Sequence, residues 1–235
     1  MKKLIWKHSI SLIIKILLLI GFSLGLYYTL ESSGFMSTST FLYYTIQSNI
    51  WIAAITFVSL FFDVFSIIKR RDINLPYIIY LIKFIATVAI TITFTVFFCL
   101  LAPSMIQQGQ GAYLSTASNL FPHLIVPLLA LFDFFYSDKT SSMKRFDFFW
   151  GISTPLYYLA FANICYASNI TFGGNLKFPY YFLDFETNGW FTITSKTIGV
   201  FYWIIILLIY VTLLSLLIFS IKNKINKNAI KCVKI

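Results

Sequence analysis

The feature that most constrains this chain of 235 residues is a series of six apolar blocks, each long enough to cross a lipid bilayer. The blocks cover about residues 9–30, 41–68, 77–101, 118–136, 146–166 and 197–221. A helix needs about 20 apolar residues to span a hydrocarbon core of about 30 Å. Backbone groups in lipid must bond within their own segment, which favours helices over open strands. The sequence therefore predicts an all-α integral membrane protein, a single domain (1–235) of six transmembrane helices.

The composition is unlike that of a water-soluble domain. Hydrophobic residues make up 59% of the chain and charged residues only 11%, too few to cover the surface of a soluble protein of this size. The first block is too long for the core of a secretory signal peptide, and no small-residue cleavage site follows it. We therefore expect it to remain as a membrane span.

Basic residues are concentrated on one side of the predicted spans. Fourteen of the 18 flank that side: Lys2, Lys3, Lys7, Lys69, Arg70, Arg71, Lys139, Lys144, Arg145, Lys222, Lys224, Lys227, Lys231 and Lys234. The opposite loops contain only Lys177 and Lys196. Because positively charged loops stay in the cytoplasm, both termini are predicted to be cytoplasmic. Attraction to anionic headgroups explains the net charge of +10, so the lipid bilayer is the predicted partner and nucleic acid is not.

Three features beyond the apolar blocks carry further expectations. The outer segment 167–196 is rich in aromatic, glycine and turn residues, which is typical either of a cap over the helix ends or of an interfacial belt that only anchors the protein. The Lys- and Asn-rich segment 222–235 is predicted to be a basic, disordered cytoplasmic tail. Cys99 and Cys165 fall near the outer ends of their spans, where a disulfide is possible but buried free thiols are favoured.

Polar side chains within the spans are informative because hydrocarbon penalises each of them. One group, the Thr45 cluster, joins the second and fourth spans. Its members are Thr45, Gln47, Ser48, Asn49, Asn119 and His123. Thr45 shares a helix face with Ser48 and Asn49, and Asn119 shares one with His123. Thr45 and His123 both lie a few residues from the outer ends of their spans, which predicts a matching depth of roughly 6 to 8 Å.

The Thr45 cluster has the minimum set of groups for nucleophilic catalysis, a hydroxyl and an imidazole at one depth. In this interpretation Thr45 is the nucleophile and His123 is the general base, while Asn119 holds the imidazole in place. The candidate donors to an oxyanion are Gln47, Ser48 and Asn49.

A structural interpretation of the same residues is also open. A threonine in a membrane helix commonly bonds the carbonyl four residues earlier, and a lone histidine commonly bonds a neighbouring helix. Pro127 also removes the amide partner of the His123 carbonyl, so the polar groups would then repair a kinked helix.

A second group, the charge cluster, contains Lys15, Asp63, Lys83 and Asp133, each a few residues from the cytoplasmic end of its span. Two cations and two anions at similar depth predict neutral structural pairs, with lysine stems able to reach the interface. A proton or ion pathway is the alternative. The only other histidine, His8, lies at the cytoplasmic end of the first span and is predicted to be too far from Thr45 to assist.

Familiar catalytic motifs are missing from the sequence. It has no Gly-x-Ser-x-Gly elbow, no His-Glu-x-x-His zinc motif and no phosphate-binding glycine loop. No metal or organic cofactor is therefore predicted.

Three segments carry a resemblance to a known family: FLYYTIQSN (41–49), HLIVP (123–127) and FPYYFLD (178–184). Over about residues 35–185 the chain resembles the androgen-induced and androgen-dependent membrane hydrolases and their bacterial six-helix relatives. The eukaryotic members cleave fatty acid esters of hydroxy fatty acids with a threonine and a histidine, and Thr45 and His123 match those positions. The resemblance implies a lipid-ester hydrolase in a bacterial plasma membrane, with an acyl ester as its substrate.

Two other functions remain open from the sequence. A small transporter or channel would need an aqueous route that links Asn49 and His123 to Asp63 and Asp133. A non-catalytic scaffold or lipid-binding protein would need no such route and no reactive pair. Contact between Thr45 and His123 beside a closed apolar pocket favours the enzyme, whereas a continuous polar cavity favours transport.

Overall fold

The computed structural model describes residues 2–35, 37–136, 143–195 and 197–233. The regular structure within these ranges is helical, apart from two isolated β-bridges in the loop before the last helix, which confirms the predicted all-α class. Some of the basic residues used to predict orientation lie outside the described residues or have side chains outside them: Lys2, Lys3, Lys139, Lys196, Lys227, Lys231 and Lys234.

The described residues contain nine α-helices, numbered here in chain order. They are α1 Lys2–Ser33, α2 Tyr44–Lys69, α3 Tyr77–Val96, α4 Ala102–Gln107, α5 Ala117–Leu120, α6 Val126–Tyr136, α7 Ser153–Ala167, α8 Phe185–Asn188 and α9 Val200–Val233. A π-helical turn, Phe97–Leu101, joins α3 to α4, and a second one, Phe121–Ile125, joins α5 to α6. A 3₁₀ segment, Asp147–Ile152, leads into α7.

Within the part of the chain that the structure describes, five helical segments are long and apolar enough to cross a membrane. They are Leu4–Ser33, Tyr44–Lys69, Tyr77–Gln107, Ala117–Tyr136 and Val200–Asn226. The predicted span 146–166 is instead divided between the 3₁₀ segment and α7, which has 15 residues. A helix of that length rises about 22 Å, less than the hydrocarbon core of about 30 Å.

Two predictions about local structure need correction. The basic tail is not disordered over its described part, because α9 continues as one helix through residues 222–233. Both Cys99 and Cys165 are free thiols, but only Cys165 is buried, and Cys99 is exposed.

The centre of the bundle is α3, which packs against α2, α6 and α9. Its Tyr80 and Phe84 rings are fully buried against Phe134 of α6, with ring centroids 5.6 Å and 6.1 Å apart. Further along α3, the hydroxyls of Thr87 and Thr91 donate to carbonyls four residues earlier. These hydroxyls are thus satisfied within their own helix, which allows α3 to be buried on most of its surface.

Candidate active site

The π-helical turn between α5 and α6 positions His123. The last backbone hydrogen bond of this turn runs from the Val126 N–H to the Phe121 carbonyl. In a π pattern the Pro122 carbonyl would next accept from residue 127, but Pro127 has no N–H to donate. The Asn49 side-chain nitrogen takes that place and donates to the Pro122 carbonyl over 3.1 Å. Asn49 therefore joins α2 to the irregular turn and satisfies a buried carbonyl. That carbonyl belongs to Pro122, whereas the structural interpretation expected the carbonyl without an amide partner to be that of His123.

A close approach of α1 supports the same turn from its other side. A side chain added at Gly25 would place its Cβ 2.9 Å from the Phe121 Cβ, closer than real Cβ atoms come. Glycine at this position thus lets α1 pack directly on the segment that carries His123.

Thr45 and His123 lie in contact. Thr45 is in the first turn of α2, and its Oγ1 is 3.3 Å from the Nε2 of His123. The other ring nitrogen, Nδ1, is 3.0 Å from the Asn119 carbonyl. Because a carbonyl only accepts, Nδ1 carries the proton, and in the neutral ring Nε2 presents its lone pair to the Thr45 hydroxyl. The distance is long for a hydrogen bond but within the range of active sites without substrate.

The imidazole is fixed in this position by two neighbours. The Phe97 ring stacks on it, with centroids 3.8 Å apart and an angle of 19° between the planes. The Asn119 backbone holds Nδ1, but the Asn119 side chain does not, because it donates to the Tyr113 carbonyl over 2.8 Å. Asn119 thus holds the imidazole as predicted, but through its backbone carbonyl rather than through its side chain.

The three predicted oxyanion donors point elsewhere. The Ser48 hydroxyl bonds the Thr45 carbonyl and the Thr93 hydroxyl, over 3.0 Å and 2.7 Å. Asn49 donates to the Thr45 and Pro122 carbonyls, and the Gln47 amide nitrogen donates to the Phe41 carbonyl. All three side chains satisfy backbone groups or neighbouring hydroxyls, so their donors are not available to a substrate oxygen beside the Thr45 hydroxyl.

An apolar cavity of about 100 Å³ opens beside Thr45. It lies between α2, α3, α7 and α9 and is covered by part of the loop between α7 and α9. Most of its lining is aliphatic, for example Ile92, Val96, Leu156, Leu159, Leu207 and Leu208. Thr45 is one of its few polar lining groups, and His123 lies behind Thr45, outside the lining. The cavity thus has the shape and polarity to hold a hydrocarbon group next to a hydroxyl.

Tyr180, in the loop that covers the cavity, is the site residue to which sequence reasoning assigned no role. Its ring packs between Tyr43 and Tyr158, with centroid distances of 6.4 Å and 6.1 Å, and it lines the cavity together with Thr45. Burial raises the pKa of its phenol to about 12, while hydrogen bonding to the Thr45 side chain and backbone lowers it. The FPYYFLD segment of the family resemblance contains Tyr180, so the signal was present in the sequence.

The charge cluster forms one connected network about 27 Å from Thr45, since Asp63 follows Thr45 by 18 residues along α2. Lys15 lies 2.8 Å from Asp63 and 2.9 Å from Asp133, and Lys83 lies 2.6 Å from the other oxygen of Asp133. All four side chains are less than a tenth exposed. The predicted residues are therefore in contact, and Asp133 joins the two lysines.

His8 belongs to this network, which the sequence analysis did not foresee. Its Nδ1 is 2.6 Å from Asp63, and its Nε2 is 2.9 Å from Asp72. Each ring nitrogen therefore faces a carboxylate oxygen, and His8 joins Asp63 to Asp72. Asp72 follows α2 in the chain, and the α2–α3 connection brings it back over the end of α1. A carboxylate in a connecting segment gives no periodic signal from which this contact could be predicted.

The three segments of the family resemblance meet in the structure, because Thr45 contacts both His123 and Tyr180. No family model, no curated protein and no solved structure matches this chain.

Proposed function

We propose that this multi-pass membrane protein is a lipid-ester hydrolase in which Thr45 is the nucleophile and His123 is the general base. The observation that carries the proposal is the 3.3 Å contact between the Thr45 hydroxyl and the unprotonated Nε2 of His123, at the edge of an apolar cavity. If the contact between Thr45 and His123 were only structural, it would need neither the cavity nor the hydrogen bond from Nδ1 to the Asn119 carbonyl, which leaves Nε2 unprotonated. The family resemblance around the same two residues gives independent support.

The geometry fits a two-step acyl transfer. Thr45 Oγ1 attacks the ester carbonyl carbon while its proton passes to His123 Nε2, and the carbonyl electron pair moves onto oxygen. Collapse of this intermediate expels the alcohol oxygen, which takes the proton from Nε2, and leaves an acyl group on Thr45. A water molecule then gives its proton to Nε2 and attacks the acyl-threonine, which releases the carboxylic acid and restores the hydroxyl. No cofactor is needed for either step.

The cavity favours an acyl chain as the bound part of the substrate. Its wall is aliphatic, and α7 and α9, which flank it, are apolar helices on the bundle surface. A chain that arrives from the bilayer would exchange lipid for aliphatic side chains, so its burial would cost little. The ester group would then lie beside Thr45, at the end of the cavity that the loop covers.

A fluorophosphonate probe tests the nucleophile. We expect it to label Thr45 in the wild-type protein and to leave the His123→Ala variant almost unlabelled, because the hydroxyl is then no longer activated. Thr91→Ala is the matched control, since Thr91 bonds within α3 and does not line the cavity. Peptide mapping of the adduct is the measurement. Absence of an adduct on wild-type Thr45, or equal labelling after the His123 change, would contradict the proposal.

We also propose that residues 147–167 form the sixth crossing and that both termini are cytoplasmic. The 3₁₀ segment adds about 12 Å to the roughly 22 Å of α7, which together match the hydrocarbon core of about 30 Å. The distribution of basic residues gives the orientation. In intact cells, tags at both termini should resist added protease, and a tag after Gly173 should be cleaved. A protease-sensitive terminus would show that the number of crossings or the orientation is different.

A further inference from the structure

The proposed reaction creates a negative charge that the predicted donors do not reach. When Thr45 attacks, the ester carbonyl oxygen becomes an oxyanion, and a donor within about 3 Å of it is normally worth a large part of the rate. Ser48, Asn49 and Gln47 are bonded to other groups, as described above. A side-chain donor would therefore have to come from another part of the cavity wall.

Other hydroxyls on the wall are also committed. Tyr44 bonds the Thr154 hydroxyl over 3.0 Å, Thr93 bonds Ser48, and the Tyr158 hydroxyl donates to the Leu42 carbonyl over 3.0 Å. Tyr180 differs from them because its hydroxyl contacts Thr45 itself, through the Thr45 side chain and backbone, in addition to the Tyr158 hydroxyl. A carbonyl that Thr45 Oγ1 attacks from the cavity side would lie beside this phenol, because Thr45 and Tyr180 line the same cavity.

The position of Tyr180 is well defined although it is in a loop. Its ring stacks on the buried Phe182 at 5.2 Å and 6°, and Phe182 in turn contacts Trp203 of α9 at 6.0 Å. On its other side the ring packs against Tyr43 and Tyr158. A donor held by packing on several sides loses little freedom when it binds a developing charge.

We infer that Tyr180 is a third catalytic residue, whose hydroxyl donates a hydrogen bond to the carbonyl oxygen of the ester that Thr45 attacks. The inference rests on the proposed hydrolase function. At neutral pH the phenol keeps its proton, because burial raises its pKa to about 12. It therefore acts as a donor and not as a second base. The covering loop thus has a chemical role in addition to closing the cavity.

The test compares Tyr180→Phe with Tyr181→Phe in the full-length protein, with a p-nitrophenyl acyl ester as substrate. The Phe ring at position 180 keeps the packing and removes only the donor. We expect kcat to fall about 100-fold or more with little change in KM, as for the loss of one oxyanion donor. Tyr181 is the control because it is exposed and does not line the cavity. Its variant should keep wild-type kcat.

The outcomes separate this inference from the proposed function. If Thr45→Ala abolishes hydrolysis but Tyr180→Phe retains wild-type kcat, the inference is wrong and the hydrolase proposal stands. If Tyr180→Phe also loses thermal stability, fluorotyrosine at position 180 replaces it, since this residue keeps both the ring and the O–H donor. A set of fluorotyrosines with different numbers of ring fluorines then varies the acidity of the phenol. A kcat that changes with this acidity supports the inference, and a kcat that stays constant across the set contradicts it.

Discussion

Thr45→Ala and His123→Ala are each expected to lower kcat/KM for an acyl ester by about 1,000-fold or more, the effect of losing a nucleophile or its base. Thr45→Ala removes the oxygen that forms the acyl intermediate. His123→Ala leaves that oxygen but removes the base 3.3 Å away. The measurement is the rate of ester cleavage by purified protein in micelles, with helix content and melting temperature as controls for folding.

The double variant distinguishes a catalytic pair from two unrelated defects. If the residues act as one unit, the double variant should be hardly slower than either single variant. Thr45→Ser keeps the hydroxyl but loses the methyl group that restricts its rotamer, so activity should fall only partly. Additive losses in the double variant, or a Thr45→Ala protein with wild-type activity, would show that the contact is structural.

The contact between Thr45 and His123 was predictable because it depends on quantities that a sequence contains. Both residues lie near the outer ends of their apolar blocks, and a constant rise per residue converts these positions into depth. The partners of the neighbouring amides were not predictable in the same way. Asn49 donates to the Pro122 carbonyl because the π turn leaves that carbonyl without an amide, and a π turn depends on how α1 and α2 pack around it.

The charge cluster also shows which contacts can be predicted from depth along the spans and which cannot. The pairing of Lys15, Asp63, Lys83 and Asp133 followed from their common depth. His8 lies at the same end of the bundle as Asp63, so common depth allowed this contact too, whereas its second partner, Asp72, lies in a connecting segment for which depth gives no signal. The helical conformation of residues 222–233 was not predicted because their composition is typical of a solvated, disordered segment. In the structure α9 extends through these residues without a break.

Asp133→Asn is expected to give the largest loss of stability in the bundle. Asp133 is fully buried and bonds both Lys15 and Lys83, so its neutralisation removes a carboxylate partner from each of two buried lysines. Removal of one partner from a buried ion pair typically costs about 3 to 5 kcal/mol. The measurement is the melting temperature in micelles, together with the yield of folded protein. The outer pair of Lys177 and Glu186 is the matched control, because it is exposed and Glu186→Gln should leave the melting temperature unchanged.

A second change distinguishes charge balance from a role for Asp133 in transport. Asp133→Asn combined with Lys83→Met removes one charge of each sign and leaves Lys15 paired with Asp63 over 2.8 Å. If the network is structural, the double variant should recover part of the stability that Asp133→Asn loses, because one of the two buried lysines that lose this carboxylate is then removed as well. If instead Asp133→Asn folds normally but abolishes a proton-driven flux across vesicles, the charged residues form a pathway. The transport hypothesis would then replace the structural one, since a path needs groups that change protonation whereas a structural pair needs them fixed.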